Sequence, residues 1–97
     1  MNVYYRATDM VEFKLIDNNA EVKGTRGVTY WTDGVEAARL YQAEGRVIVK
    51  ITVENDIPAV YKGVAHQADA PNHNEWVVPH AEFEAWLGRN LVDVELV

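Results

Sequence analysis

The stretch Arg46-Val47-Ile48-Val49-Lys50-Ile51-Thr52-Val53 constrains the fold more than any other part of this 97-residue chain. Val47, Val49, Ile51 and Val53 fall on one side of an extended backbone and Arg46, Lys50 and Thr52 on the other, with Ile48 the exception. A period of two over eight residues predicts a β-strand with one face in a core. The rest of the chain supplies candidate partners. Val3 to Ala7, Val28 to Trp31, Ala59 to Lys62, Glu75 to Val78 and Leu91 to Leu96 all read as strands. In the last of these, Val92, Val94 and Leu96 alternate with Asp93 and Glu95, predicting a buried face and an acidic one.

Helical patterns lie between the strands. Asp9 and Glu12 carry the spacing of an acidic capping box, predicting a helix to about Ile16. Asp33 and Glu36 repeat that spacing ahead of a helix with Val35, Ala38 and Tyr41 on one face, Ala37 and Leu40 beside them, and Gly45 as its stop. A third helix is predicted over Ala81 to Leu87, closed by Gly88. Asn18, Asn19, Gly24 and Gly27 mark one loop, Asn55 and Asp56 a turn, and Gly63 to Asn74 a longer exposed loop. The expected fold is α+β: a single domain over residues 1–97, with a mainly antiparallel sheet of about five to six strands and two to three short helices.

Composition narrows function. A hydrophobic content of 48% with 25% charged residues fits a folded protein. The apolar runs are too short to span a bilayer, and Asp9 and Glu12 near the amino terminus do not fit a secretion signal. With no cysteine there is no disulfide or thiolate chemistry, in keeping with a cytoplasmic location, and with no serine there is no serine nucleophile. His66, His73 and His80 are evenly spaced but match no zinc pattern, so no metal site is expected. Trp31, Trp76 and Trp86 read as core anchors.

Residues 1–53 carry seven acids and seven bases, whereas residues 54–97 carry eight acids and two bases, so the whole net charge of −6 falls in the second part. Direct binding to nucleic acid or a membrane is not expected of such a chain. A clustered negative field favours a Lys- and Arg-rich partner instead. Glu54, Asp56, Asp69, Glu82, Glu84, Asp93 and Glu95 are the candidate partner-binding residues.

Three segments carry a different signal. Tyr4-Tyr5-Arg6 places an arginine after aromatic residues on the first strand. Thr29-Tyr30-Trp31-Thr32 ends the second strand with a hydroxyl and leads into the helix containing Ala37-Ala38-Arg39-Leu40-Tyr41. Glu75-Trp76-Val77-Val78-Pro79 opens a late strand with a carboxylate. In this order they resemble the arginine-serine-glutamate class of the ADP-ribosyltransferase-like fold. The resemblance implies Arg6, Thr32 and Glu75 as catalytic residues and NAD as the ligand. Arg6 would hold the dinucleotide phosphates, Thr32 would fix the nicotinamide pocket, and Glu75 would stabilise positive charge developing on the ribose.

The chain departs from that class at three points. His73 stands where arginine-modifying members have an acid or glutamine, Ala7 stands where glycine commonly follows the arginine, and the chain is shorter than most active members. In length, acidity and lack of cysteine it also resembles small phage-encoded anti-CRISPR proteins, including DNA-mimicking inhibitors of type I-F surveillance complexes. Two expectations result. The first, put ahead by charge placement and the three departures, is an acidic inhibitor acting in a host cytoplasm. It would bind the basic surface of a nucleic-acid-handling protein or ribonucleoprotein complex, mimicking DNA and needing no cofactor. The second is a miniature mono-ADP-ribosyltransferase, an effector or toxin that uses NAD to modify a host protein.

Overall fold

In a computed structural model, which describes residues 2–23, 27–42, 44–63 and 74–97, the strands form one sheet. In chain order the elements are β1 (Asn2–Thr8), α1 (Met10–Asn19), β2 (Val28–Thr32), α2 (Val35–Leu40), β3 (Val47–Val53), a 3-10 turn (Ala59–Tyr61), β4 (Lys62–Gly63), β5 (Glu75–Pro79), α3 (His80–Asn90) and β6 (Leu91–Leu96). The sheet order is β4-β5-β2-β1-β3-β6, and every neighbouring pair is antiparallel. This is the expected α+β domain, with six strands and three helices.

The strand that carries the period-two pattern pairs on both edges. β1 matches β3 along its whole length, from Asn2 opposite Val53 to Thr8 opposite Val47. Tyr4 and Arg6 therefore share a face with Ile51 and Val49, and Tyr5 and Ala7 share the other with Lys50 and Ile48. On the first face, Val49, Ile51 and Val53 join Tyr4, Trp31, Trp76 and Val78 under Ile16 of α1 and Phe83, Trp86 and Leu87 of α3. Phe83 stacks on Trp31 with ring centroids 5.3 Å apart and meets Trp86 at 5.6 Å. All three tryptophans are buried, as expected of core anchors. The second face lies under α2, whose Ala37 and Ala38 are buried. Small residues there let the helix approach β1 and β3 closely, and Ile48, the exception to the alternation, is buried on this side with Ala7.

Local expectations are corrected at several points. The capping box at α1 is half realised: Asp9 Oδ1 accepts the Glu12 amide at 2.9 Å, but the Glu12 carboxylate turns to other donors. Asp33 does not cap α2. Gly34 holds that position, while the Asp33 carboxylate accepts the backbone and side-chain N–H groups of Asn74. α2 also stops at Leu40, before the expected Gly45, which sits in a turn at φ +80°. Residues 59–61 form a helical turn instead of a strand, leaving only Lys62–Gly63 to pair with β5.

Gly88 does not end α3. The helix runs on to Asn90, whose side chain donates to the Trp86 carbonyl at 2.9 Å and accepts from Asn55 Nδ2 at 2.8 Å. A glycine inside a helix costs about 1 kcal/mol, less than the burial of Trp86 and Leu87 returns. In β6 the expected buried face is only partly realised: Val94 packs against the core and Leu96 is exposed on the outer strand, while an irregularity of register sets Leu91, and not Val92, opposite Val53, so that Leu91 packs on the core and Val92 is exposed. Most of the expected loop 63–74, with His66, Asp69 and His73, lies outside the described residues. No helix among the described residues is long and apolar enough to cross a membrane.

Candidate functional site

The three segments singled out in the sequence lie on β1, β2 and β5, which are adjacent in the sheet. β2 and β5 pair from Val28 opposite Pro79 to Thr32 opposite Glu75, so Thr32 and Glu75 face each other directly. β1 and β2 meet at a single paired position, Tyr5 opposite Thr32. Past that pair the ladder lapses, and a cleft of about 470 Å³ opens along the end of β1. Tyr5, Arg6, Ala7, Thr8 and Asp9 line it from the β1 side, Tyr30, Thr32 and Glu75 from β2 and β5, Ala38 and Tyr41 from α2 and its end, and Lys23 and Arg46 from the connecting segments. Arg6, Thr32 and Glu75 thus line one cavity.

Each of the three is held differently. Glu75 is buried, 3% exposed, and its Oε1 accepts from the Tyr41 hydroxyl at 3.4 Å. The Thr32 hydroxyl lies 3.0 Å from the Gly34 carbonyl and 3.4 Å from that of Tyr5, which ties the end of β2 to β1. Arg6 is the most heavily engaged. Its Nε donates to Glu12 Oε1 at 2.5 Å, one terminal nitrogen donates to Glu12 Oε2 and to the Lys23 carbonyl, and the other donates to the Tyr30 carbonyl at 3.2 Å. Glu12 is fully buried and also accepts the Lys23 amide at 2.7 Å. Arg6 therefore bridges α1, the segment after it and β2, spanning the place where the β1–β2 ladder lapses.

At the mouth, the Lys23 ammonium pairs with Asp9 at 3.0 Å. The Glu12 amide and the Lys23 side chain together hold the Asp9 carboxyl below the usual aspartate range. Glu12, Tyr41, Lys23 and Arg46 were not singled out as site residues in the sequence. Glu12 showed only its capping spacing, and nothing in the spacing of Tyr41 or Arg46 marks a cavity.

The acidic residues are dispersed. Asp93 and Glu95 sit opposite Thr52 and Lys50, on the sheet face turned away from the main core, and Glu95 pairs with Lys50 at 3.1 Å. Glu82 and Glu84 lie on α3, over the other face. Glu84 accepts the Val22 amide at 2.9 Å and pairs with His80 at 3.0 Å, and Glu82 accepts the Tyr61 hydroxyl. Asp56 accepts the Tyr4 hydroxyl at 3.0 Å, and Glu54 follows β3 in an exposed turn. Asp69 lies outside the described residues. Among the described residues, no cluster of three His, Cys, Asp or Glu side chains has the arrangement of a metal site.

No protein-family model matches the chain, and neither curated proteins nor solved structures give a match.

Proposed function

We propose that the cleft binds NAD and that the protein transfers ADP-ribose from it to an acceptor. The carrying observation is that Thr32 and Glu75, far apart in sequence and directly opposite each other on β2 and β5, line one cavity of about 470 Å³ that Arg6 also lines from the opposite face of the sheet. That volume is within the range of small-molecule sites. The lining also matches the ligand by class. Tyr5, Tyr30 and Tyr41 bring aromatic rings to the lining, of the kind that bind a ligand's rings and sugars, Glu75 brings a carboxylate, and Lys23 and Arg46 bring cations of the kind that bind a diphosphate.

The chemistry asked of the site is modest. The bond between the nicotinamide nitrogen and ribose C1′ breaks, and nicotinamide leaves with the bonding pair. The acceptor's lone pair then bonds C1′, and its proton passes to solvent. Positive charge develops on the ribose as the first bond stretches, and a buried carboxylate is the group that stabilises it. Burial of Glu75 strengthens that interaction over what water would allow.

The acidic-surface reading draws on net charge and its place in the chain. A phosphate mimic needs its carboxylates free and on one face. Asp56, Glu82, Glu84 and Glu95 each hold a partner within the fold, and the set is divided between the two faces of the sheet. The weight therefore falls on the cleft.

Titration of isotopically labelled protein with NAD tests the reading. Resonances of Tyr5, Thr32, Tyr41 and Glu75 are expected to shift together and to saturate. An unchanged spectrum at millimolar NAD would sink it.

A further inference from the structure

We propose that Arg46, and not Arg6, grips the diphosphate of the bound dinucleotide, while Arg6 is a strut that holds the cleft open; this rests on the NAD reading above. An arginine has five N–H donors in a fixed fork. Contacts to Glu12, Lys23 and Tyr30 take up the Arg6 Nε–H, both hydrogens of one terminal nitrogen and one hydrogen of the other. A single N–H remains, too few for the two-pronged grip on phosphate oxygens that makes arginine useful there. Its charge is also matched by Glu12, which is fully buried and cannot turn aside to solvent.

Arg46 has the opposite character. It lines the same cleft, is exposed, and its guanidinium has no hydrogen bond or ion pair among the described residues. Its root is anchored: the residue follows the Gly45 turn, immediately precedes β3, and its carbonyl accepts Gln42 Nε2 at 3.4 Å. The head is thus uncommitted while the backbone is placed. Lys23, the other cation at the mouth, is already paired with Asp9. A diphosphate that enters the cleft meets Arg46 as the side chain able to offer a bidentate, charge-assisted contact without breaking one inside the protein.

The two arginines should separate by what each variant loses. Binding of NAD, ADP-ribose and nicotinamide riboside, which has the ribose and nicotinamide but no diphosphate, is measured by calorimetry at low and high salt. Arg46→Ala is expected to weaken NAD and ADP-ribose about ten-fold at low salt, less at high salt, and to leave the riboside unchanged. Arg46→Lys should recover part of the loss, and neither change should lower the melting temperature appreciably. Arg46→Ala binding NAD within two-fold of the unaltered protein, or losing the riboside equally, would overturn the proposal while leaving the NAD reading standing. Failure of the unaltered protein to bind either NAD or ADP-ribose would overturn both.

Discussion

Arg6 Nε lies 2.5 Å from Glu12 Oε1, and the second oxygen of that carboxylate accepts the Lys23 amide. The pair joins β1 to α1 and to the segment leading toward β2, at the position where β1 and β2 cease to pair. A buried charge pair at a break in a sheet holds the two strand ends in a defined relation that ladder hydrogen bonds would otherwise supply. The cleft is the space left by that break.

Removing one partner of this pair leaves the other charged and buried. Glu12→Leu and Arg6→Met are each expected to cost about 3–5 kcal/mol, and the double variant less than the sum of the two, because an apolar pair of similar volume leaves no uncompensated charge. Urea denaturation of the three variants measures the coupling. Additive losses would mean that the two side chains do not act as a unit.

Tyr4 gives the fold a signature at high pH. Its hydroxyl donates to Asp56 Oδ1 and accepts the Ile57 amide, and burial, followed by the Asp56 carboxylate, pushes its pKa up to about 12 from 10.0. The neutral form is favoured in the folded state, so its contribution is complete below pH 10 and is lost as pH rises through about 12. Tyr4→Phe should lower stability by about 1–2 kcal/mol at pH 7, through the unsatisfied Ile57 amide. The gap should narrow between pH 10 and 12 in thermal melts.

Asp9 acts at the other end of the scale. Its carboxyl is held below the ordinary value of 3.8 by the Glu12 amide and then by Lys23. The charged form is favoured on folding, so its contribution is present above that value and disappears as pH falls through the lower folded value. Asp9→Asn keeps an oxygen for the cap and removes the charge, which at this half-exposed site should cost about 0.5 kcal/mol or less at pH 7. The difference between the two proteins should vanish in melts taken well below pH 4.

The aromatic stack under α3 carries a larger share of stability. Phe83 is fully buried between Trp31 and Trp86. Phe83→Ala should cost about 3–5 kcal/mol, whereas Val60→Ala, at an 82% exposed position, should fall within about 0.5 kcal/mol. Equal losses in the two would place the core elsewhere.

The strand pattern of residues 46–53, the antiparallel α+β architecture and the burial of the three tryptophans were all legible in the sequence, because each rests on local periodicity or on residue size. Helix ends were less so. Gly88 reads as a stop, yet Asn90 bonds the Trp86 carbonyl one turn back and accepts from Asn55, which is 35 residues away in the chain and which no local pattern marks as its partner. The outer strand shows the same limit: alternation in 91–96 does not reveal the register irregularity that turns Leu91 to the core in place of Val92, and whether a face is covered depends on sheet order. For the site, Arg6, Thr32 and Glu75 were visible as segments. Their convergence required the order β5-β2-β1, and the pairing of Arg6 with Glu12 was hidden because Glu12 carried an adequate local explanation as a capping residue.

Release of nicotinamide from NAD, compared in the unaltered protein and in Glu75→Gln, tests the central claim most directly. The unaltered protein is predicted to bind NAD and release nicotinamide. The variant is predicted to bind NAD within about three-fold while losing at least about 100-fold in rate, because the lost charge acts on the developing ribose cation more than on bound NAD. Equal rates in the two proteins, or an unaltered protein that neither binds nor cleaves NAD, would contradict it.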